Sequence, residues 1–281
     1  MLQRQVVTPD LEYAPPAAAW IARGAYPAFR EALPTGETTQ GRYRMRFAAG
    51  DDDLDAILRL RFDVFNLELG EGMDASFETG RDEDEFDPLC HHLMVEEAAT
   101  GRLVGTYRMM TSSMAARGAG FYSAGEFYLG LLPDAVLDHS IEAGRACIHA
   151  EFRDRQVLFL LWKGLASYMA WNRKRYLFGC CSLTSQDPAV GVGALARLAA
   201  EGAVDRDLRV VPLPGLECRL TPEDARPAGA TRLPILFRTY LRHGAKVLGA
   251  PAIDREFKTI DFFTCLDVAT MAPDHLRLFF S

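Results

Sequence analysis

The stretch "SIEAGRACIHAEFRDR", residues 140–155, has the pattern of a buried strand that runs into a charged turn. A strand in the core should carry apolar side chains, but this one contains Glu142 and Arg145. Ionised groups inside a buried strand are costly unless they are paired or face a cavity. The stretch therefore predicts a strand that forms one wall of a polar site. The turn that follows is charged and contains no glycine.

The elements around this strand predict an α/β domain with a mixed central sheet flanked by helices. Upstream, the sequence predicts a strand at 42–50, a helix that starts at residue 51 and a hairpin whose turn lies at 98–102. Downstream it predicts, in order, a buried helix at 154–174, a strand at 176–183, helices at 187–202 and 234–249, and a strand at 259–268. The buried helix would be a crossover that joins the strands 140–149 and 176–183 as parallel neighbours.

Two segments fall outside this pattern. Residues 1–40 are rich in proline and alanine, and we expect an irregular N-terminal arm with one helical turn at 16–23, so that the domain occupies 41–281. Residues 70–88 form a glycine-rich acidic loop, which is typical of a solvated surface connection. That loop nevertheless carries two aspartates, Asp84 and Asp87, close to the predicted hairpin.

Composition excludes several classes of protein. The net charge of −7 argues against a general nucleic-acid binder, which needs a basic face to replace counterions. The six cysteines show no metal-ligand spacing, so we expect no metal. No apolar run reaches the roughly 18 residues that span a bilayer, and no signal peptide is evident. We therefore expect a cytoplasmic protein.

Three arginines and three acids fall on the central elements, which predicts a buried charge network around a site. Each of them alone could be an ordinary solvated or structural residue. Two histidines, His91 and His92, begin the hairpin; we expect one of them to face outward and His92 to form part of the site wall. The candidate residues of the site are Arg61 and Phe65 on the first helix, Asp84, Asp87, His92, Arg108, Glu142 and Arg145.

Seven segments occur in an order that resembles a known family. They are "DEFDPLCHHLMV", "GTYRMM", "FYSAGEF", "EAGRACI", "LFLLWKGLASY", "FGCCSL" and "AKVLGAPAIDREFKTIDFF". Together they are similar to the ornithine–acyl-carrier-protein N-acyltransferases, which make lyso-ornithine lipid, and whose relatives include proteins labelled hemolysin. The arginine and acid pattern also resembles acyl-homoserine lactone synthases. The resemblance covers about 42–280 and implies the GNAT acyl-CoA N-acyltransferase fold.

The chemistry of amide formation suggests roles for these residues, and the resemblance adds the site of the oxyanion. Amide formation from a thioester needs a deprotonated amine, and Glu142 is the candidate base, directly or through a water. The alternative is that Glu142 only holds Arg145 in place. We expect Arg145 and Arg108 to pair with the three acids and leave a guanidinium edge for a substrate carboxylate. Backbone N–H groups would stabilise the oxyanion where the two parallel strands splay apart.

The donor implied by the resemblance is acyl carrier protein, and no cofactor would be permanently bound. GNAT enzymes that use acetyl-CoA cradle its pyrophosphate in a glycine-rich turn at a helix N-terminus, whereas the turn here is "HAEFRDRQV". The phosphopantetheine arm has a single phosphodiester, which Arg153 and Arg155 could hold. Arg173, Lys174 and Arg175 would dock the acidic carrier. Surface charges that only cap a helix are the alternative for both groups.

Membrane contact is a separate expectation. The predicted helix at 234–249 has one apolar face, and its cations Arg238, Arg242 and Lys246 repeat every four residues. We expect a core-packed helix rather than one that lies on a membrane. A lipid product would still bring the protein into transient contact with the inner face of the membrane.

The sequence alone decides neither the amine acceptor nor the class of function. Ornithine would need a carboxylate clamp and an acid for its δ-ammonium, such as Asp84, Asp87 or Glu126, whereas glycine would need only the clamp. The alternatives are a synthase that acylates S-adenosylmethionine and closes a lactone, a CoA-dependent small-molecule acetyltransferase, and a membrane-lysing protein. The C-terminal segments disfavour the first, and the missing glycines disfavour the second.

Overall fold

A computed structural model describes residues 26–220 and 232–280, and it confirms the predicted α/β fold with a mixed sheet. The predicted helical turn at 16–23 lies outside the described residues. In these ranges the strands are β1 (Thr38–Gln40), β2 (Tyr43–Phe47), β3 (His91–Glu97), β4 (Leu103–Thr111), β5 (Ser140–Ile148), β6 (Tyr176–Leu183), β7 (Lys246–Val247), β8 (Ala252–Asp254) and β9 (Thr259–Asp267). Their order across the sheet is β1-β2-β3-β4-β5-β6-β9-β7, and β8 also pairs with β9.

The helices connect and cover this sheet. They are α1 (Asp51–Phe62), α2 (Ser76–Thr79), α3 (Ser112–Arg117), α4 (Asp134–Asp138), α5 (Arg155–Trp171), α6 (Pro188–Ala200), α7 (Ile235–Arg242) and α8 (Pro273–Phe280). Among the described strand pairs, only β5 and β6 run parallel, and α5 is the crossover between them, as the sequence predicts. The last turns of the first helix continue from α1 as a π-helical segment, Asp63–Glu68.

Both faces of the sheet are covered, so alternate residues of a strand enter different layers. Leu93 and Val95 of β3 join the core around α5, whereas Met94 packs with Ile57 of α1. The same alternation buries both histidines of β3 completely. The expectation that one of them faces outward was therefore wrong, because this strand has no solvent-facing side.

A bulge in β5 breaks this alternation. Thr106 of β4 pairs with Cys147, but Arg108 pairs with Gly144, so β5 has one residue more than β4 across this interval. Arg145 occupies the extra position with a positive φ of 48°, an uncommon conformation for a residue with a side chain. Regular alternation would place Glu142 and Arg145 on opposite faces. The bulge turns Arg145 onto the face that carries Glu142 and Arg108.

Two boundaries differ from the sequence predictions. The described part of the N-terminal arm, 26–40, packs on the domain: β1 extends the sheet, and the Nε1 of Trp171 donates to the carbonyl of Glu31. The helix predicted at 234–249 ends at Arg242, because the chain turns at Gly244 with φ of 100°. Lys246 therefore lies in β7 and does not extend a row of cations along the helix.

Candidate active site

A cavity of about 310 Å³ opens where β5 and β6 separate. The two strands pair only from Ser140 to Glu142 and from Tyr176 to Phe178. Beyond that point β5 keeps its pairing with β4 and β6 keeps its pairing with β9, so the facing edges of β5 and β6 border the cavity. The splay that the family resemblance implied is thus present.

The predicted charge network exists, but its third acid is Asp82 rather than Glu142. Arg61 donates to Asp82 through Nε at 2.7 Å and to Asp87 through Nη1 at 2.6 Å. Arg108 uses Nη1 for Asp84 at 2.5 Å and for Asp87 at 3.0 Å. The Nη2 of Arg145 donates to Asp84 at 3.1 Å, and its Nε lies 3.4 Å from Asp82.

Three guanidinium groups and three carboxylates balance each other in this network. Arg61, Asp82 and Asp87 are almost completely buried, so each charge depends on its partners for stabilisation. Burial alone would raise the pKa of Asp87, but the charges of Arg61 and Arg108 outweigh it and hold that pKa well below its usual range. Asp84 and Asp87 are therefore committed to arginines, which makes them poor ligands for a substrate ammonium.

Glu142 has a different environment from the one that the sequence suggested. It makes no ion pair with Arg145; its Oε2 accepts the N–H of Tyr122 at 2.7 Å, and its Oε1 accepts the N–H of Ser123 at 2.7 Å and the Ser123 hydroxyl. Burial raises the pKa of Glu142, and these donors oppose the rise. These bonds fix the carboxyl group in position, and because Glu142 lines the cavity, the group is placed where it could exchange a proton with a bound ligand.

A second acidic group lies at the same cavity. Asp254 and Asp261 line it, and Glu126 approaches Asp261 and Cys180 so that one ligand atom of each of these three residues lies within 4.8 Å of the others. Burial is the largest cause of the raised pKa of Glu126, and the charges of Asp261 and Asp254 add to it. The pKa of Asp261 is raised as well, mainly by burial.

In the turn after β5, an aspartate caps the next helix, in place of a glycine-rich turn that would leave the backbone N–H groups free for an anion. Asp154 caps α5, and its Oδ1 accepts the N–H groups of Gln156 at 2.9 Å and Val157 at 3.0 Å. Its Oδ2 accepts the hydroxyl of Tyr43 at 2.8 Å. The backbone donors that bind an anion at a helix N-terminus are thus occupied by a side-chain carboxylate.

The predicted carrier-binding residues fall into two separate places. Arg153 and Arg155 lie at the N-terminus of α5, and Arg173, Lys174 and Arg175 follow its C-terminus, about 25 Å away along a helix of 17 residues. Arg153 forms a partly exposed bidentate pair with Glu68, at 2.6 and 2.8 Å, so a phosphate bound by Arg153 would compete with that carboxylate.

Two of the three cations after α5 also have partners within the protein. Lys174 donates to the hydroxyl of Ser112 at 2.7 Å, and Arg175 pairs with Asp267. This group precedes Tyr176, where β5 and β6 are still paired, so it lies at the closed end of the splay. Arg155 and Arg173 are exposed.

Of the remaining predicted residues, Phe65 lines the cavity and His92 does not. Phe65 lines the cavity and packs edge-on against Phe257. His92 lies behind the network: it contacts the Tyr26 hydroxyl at 2.8 Å and Asp87 at 3.2 Å, and burial lowers its pKa. It is not among the residues that line the cavity.

Sequence reasoning missed Asp82, Tyr122, Ser123 and Asp261 as site residues. Asp82 stands in the run "RDEDEFD", where nothing distinguishes it from neighbouring acids. Tyr122 and Ser123 belong to "FYSAGEF", one of the segments that carried the family resemblance, so a signal for them was present. Asp261 lies in a strand that otherwise reads as core.

The splayed parallel strands and the cavity between them define a GNAT-type acyltransferase, and the family model that the sequence matches agrees. Residues 60–163 match the family described as "Acetyltransferase (GNAT) domain". Among solved structures, FeeM, an N-acyl amino acid synthase from uncultured soil microbes, superposes with a TM-score of 0.48 at 13% identity, covering 82% of this chain and 94% of that one.

Curated relatives show the particular family. The chain is 31% identical over 255 residues to the L-ornithine N(alpha)-acyltransferase of Brucella abortus (strain 2308), covering 85% of this chain and 89% of the relative. It is 32% identical over 247 residues to the protein of that name from Rhizobium meliloti (strain 1021), with 83% of both covered. The chain belongs to the L-ornithine N(alpha)-acyltransferase family.

Proposed function

We propose that this protein transfers a 3-hydroxy long-chain acyl group from acyl carrier protein to the α-amine of ornithine, giving lyso-ornithine lipid. The observation that carries the proposal is the cavity between the splayed strands, which has the fixed carboxyl group of Glu142 in its wall. The names of the relatives supply the acceptor and the amine that is acylated.

The proposed reaction uses Glu142 as the base. The α-amine attacks the thioester carbonyl, so that a C–N bond forms and the C–S bond breaks. The nitrogen gives up a proton to Glu142, and the same proton is then delivered to the departing thiolate, directly or through a water, so that a thiol leaves and Glu142 is ionised again. Free N–H groups on the facing edges of β5 and β6 would stabilise the oxyanion. Arg108 and Arg145, which line the cavity, would orient the acceptor carboxylate.

The cap of α5 supports a carrier-protein donor. A pyrophosphate at this helix terminus would meet the carboxylate of Asp154 instead of free N–H groups, which disfavours CoA. The phosphopantetheine arm of a carrier protein lacks that pyrophosphate, and the exposed Arg155 could pair with its one phosphate. On this account the donor arm is a substrate, and no permanently bound cofactor takes part.

The proposed site of action is the cytoplasm, with transient contact at the inner face of the membrane when the product leaves. Within the described residues, no helix has both the length and the apolar character to span a bilayer. The apolar residues Leu236 and Leu241 of α7 pack against the core, which supports a core-packed role for that helix.

Lipid analysis of an expressing host tests the proposal. The chain is expressed in a bacterium that makes no ornithine lipid, beside the variant Glu142→Gln, and lipid extracts are compared by mass spectrometry. We expect N-acylated ornithine with the wild type and a large reduction with the variant. An acyl-homoserine lactone, or an acylated glycine without acylated ornithine, would overturn the proposed function.

A further inference from the structure

The pair formed by Glu126 and Asp261 is buried without a salt-bridge partner among the described residues. Their side chains are 6% and 4% exposed. The Oε1 of Glu126 has no hydrogen-bond partner in the described part of the chain, its Oε2 accepts the Cys180 thiol at 3.7 Å, and its carboxyl group also lies against that of Asp261. The Oδ1 of Asp261 accepts the Thr259 hydroxyl at 3.0 Å. Two buried acids with an unused oxygen are costly to ionise, so the pair either keeps a proton or binds a cation.

This pair is close to Glu142. The Ser123 hydroxyl donates to Glu142, and the Cys180 thiol lies 3.7 Å from both the Ser123 Oγ and the Glu126 Oε2. One hydroxyl and one thiol therefore separate the two carboxyl sites. Asp254 lines the same cavity and adds negative potential to the region.

The geometry points to a subsite in which Glu126 and Asp261 bind the terminal ammonium of a diamino acid whose α-amine meets Glu142. This inference rests on the proposed function and adds the residues that select the acceptor. Ornithine carries its two amines at the ends of a four-carbon chain, so both acidic sites can be filled by one molecule. Asp84 and Asp87 cannot take this role, because their oxygens already accept bonds from Arg61, Arg108 and Arg145.

The subsite should discriminate strongly against acceptors that lack the second amine. Norvaline has the carbon chain of ornithine without the ammonium, and its binding would leave the carboxylates buried and unpaired. A site built for a polar group rejects an analogue without it by about 10⁴-fold. We expect the kcat/KM of the wild type to favour ornithine over norvaline by a factor of this order.

The variants Glu126→Gln and Asp261→Asn test the subsite. Each should lower the ornithine/norvaline ratio of kcat/KM by about 10²-fold, because a buried charge pair is lost. Glu78→Gln, which neutralises an exposed carboxylate of α2, is the matched control and should leave the ratio unchanged. If the two residues are purely structural, each variant should lower the kcat/KM for ornithine and for norvaline by the same factor. An unchanged ratio in Glu126→Gln and Asp261→Asn would overturn the inference.

Calorimetry without any acyl donor separates this inference from the proposed function. Selective binding of free ornithine over norvaline by the wild type, lost in Glu126→Gln, supports the subsite even if no acyl transfer is observed. Equal binding of the two amino acids overturns it. Selectivity that disappears with EDTA and returns with a divalent metal also overturns it, because the pair would then be a metal site.

Discussion

Glu142 and Arg145 are three residues apart, yet they have separate partners and separate roles. Glu142 accepts bonds from Tyr122 and Ser123 on the loop before α4, whereas Arg145 binds Asp82 and Asp84. The ring of Phe257 also lies 4.0 Å from the Arg145 guanidinium carbon, which adds a cation–π contact. Both residues thus line the cavity, but the arginine is bound to the acidic network and the glutamate is held separately by backbone donors.

Glu142→Gln tests the proposed base. The variant should lower kcat at pH 7 by about 10²–10⁴-fold, with little change in donor KM. Because burial raises the pKa of Glu142, wild-type activity should fall as pH drops through that raised value. In the variant the amine must lose its proton unaided. The rate of the variant should therefore rise with pH until the pH reaches the amine pKa of about 8. Near-normal turnover with an unchanged pH profile would make Glu142 structural.

Asp87→Asn tests the buried network. Loss of one charge leaves Arg61 and Arg108 short of a partner, so the free energy of unfolding should fall by about 3–5 kcal/mol. Since the pKa of Asp87 is lowered in the fold, its contribution is present above the unfolded pKa of about 3.9 and lost as pH falls towards the folded value. Urea unfolding of the wild type and the variant at pH 7 and at about pH 2 measures both effects, and the difference between the two proteins should be smaller at the lower pH. A loss below 1 kcal/mol at pH 7 would contradict this description of the network.

At the scale of elements, the separation of β5 from β6 creates the cavity. Gly179 marks the separation point: a Cβ there would lie 2.1 Å from the carbonyl oxygen of Ala143. That oxygen belongs to the backbone of the facing strand, so it cannot move aside as a flexible side chain would. The close approach of the two backbones therefore requires glycine at this position.

Gly179→Ala should push the strands apart and lower kcat by at least about 10-fold, because small misplacements of reacting groups are costly. Gly50→Ala is the matched control, since a Cβ at Gly50 meets no atom within 4 Å and Gly50 does not line the cavity. Steady-state kinetics and thermal unfolding of both variants provide the measurements. Equal activity of the two would show that the strand separation tolerates displacement.

Sequence patterns predicted most elements because the periodicity of apolar residues in each helix and strand is a local property of the sequence. The crossover helix and the strands 140–149 and 176–183 were predicted correctly, since each is a short apolar run between charged turns. The bulge at Arg145 could not be predicted, because it depends on the register against β4. Asp261 was missed for a related reason: it reads as part of a core strand, and only tertiary packing brings it to Glu126.

At the scale of the whole molecule, the two basic groups lie at opposite ends of α5. The net charge of −7 makes general attraction to an acidic carrier protein unfavourable, so the proposed docking would depend on local cations. Arg155 lies at the end of α5 that adjoins the open part of the splay, whereas Arg173 lies at the closed end. The geometry favours the first position for the donor.

Arg155→Glu should therefore raise the KM for acyl carrier protein several-fold at low salt. The effect should shrink as ionic strength rises, because exposed charges are screened over about 10 Å at 0.1 M. Arg173→Glu is the matched reversal at the other end, and it should have a smaller effect. Steady-state kinetics at several salt concentrations make the comparison. If Arg173→Glu has the larger effect, the carrier docks beside residues 173–175.

A competition assay with purified protein tests the central claim most directly. The protein is supplied with 3-hydroxyacyl carrier protein and an equimolar mixture of ornithine, norvaline, glycine and S-adenosylmethionine, and every acylated product is quantified by mass spectrometry. The account predicts that N-acylornithine acylated on the α-nitrogen is the dominant product. A lactone, an acylglycine, or acylation of the δ-nitrogen as the main product would contradict it.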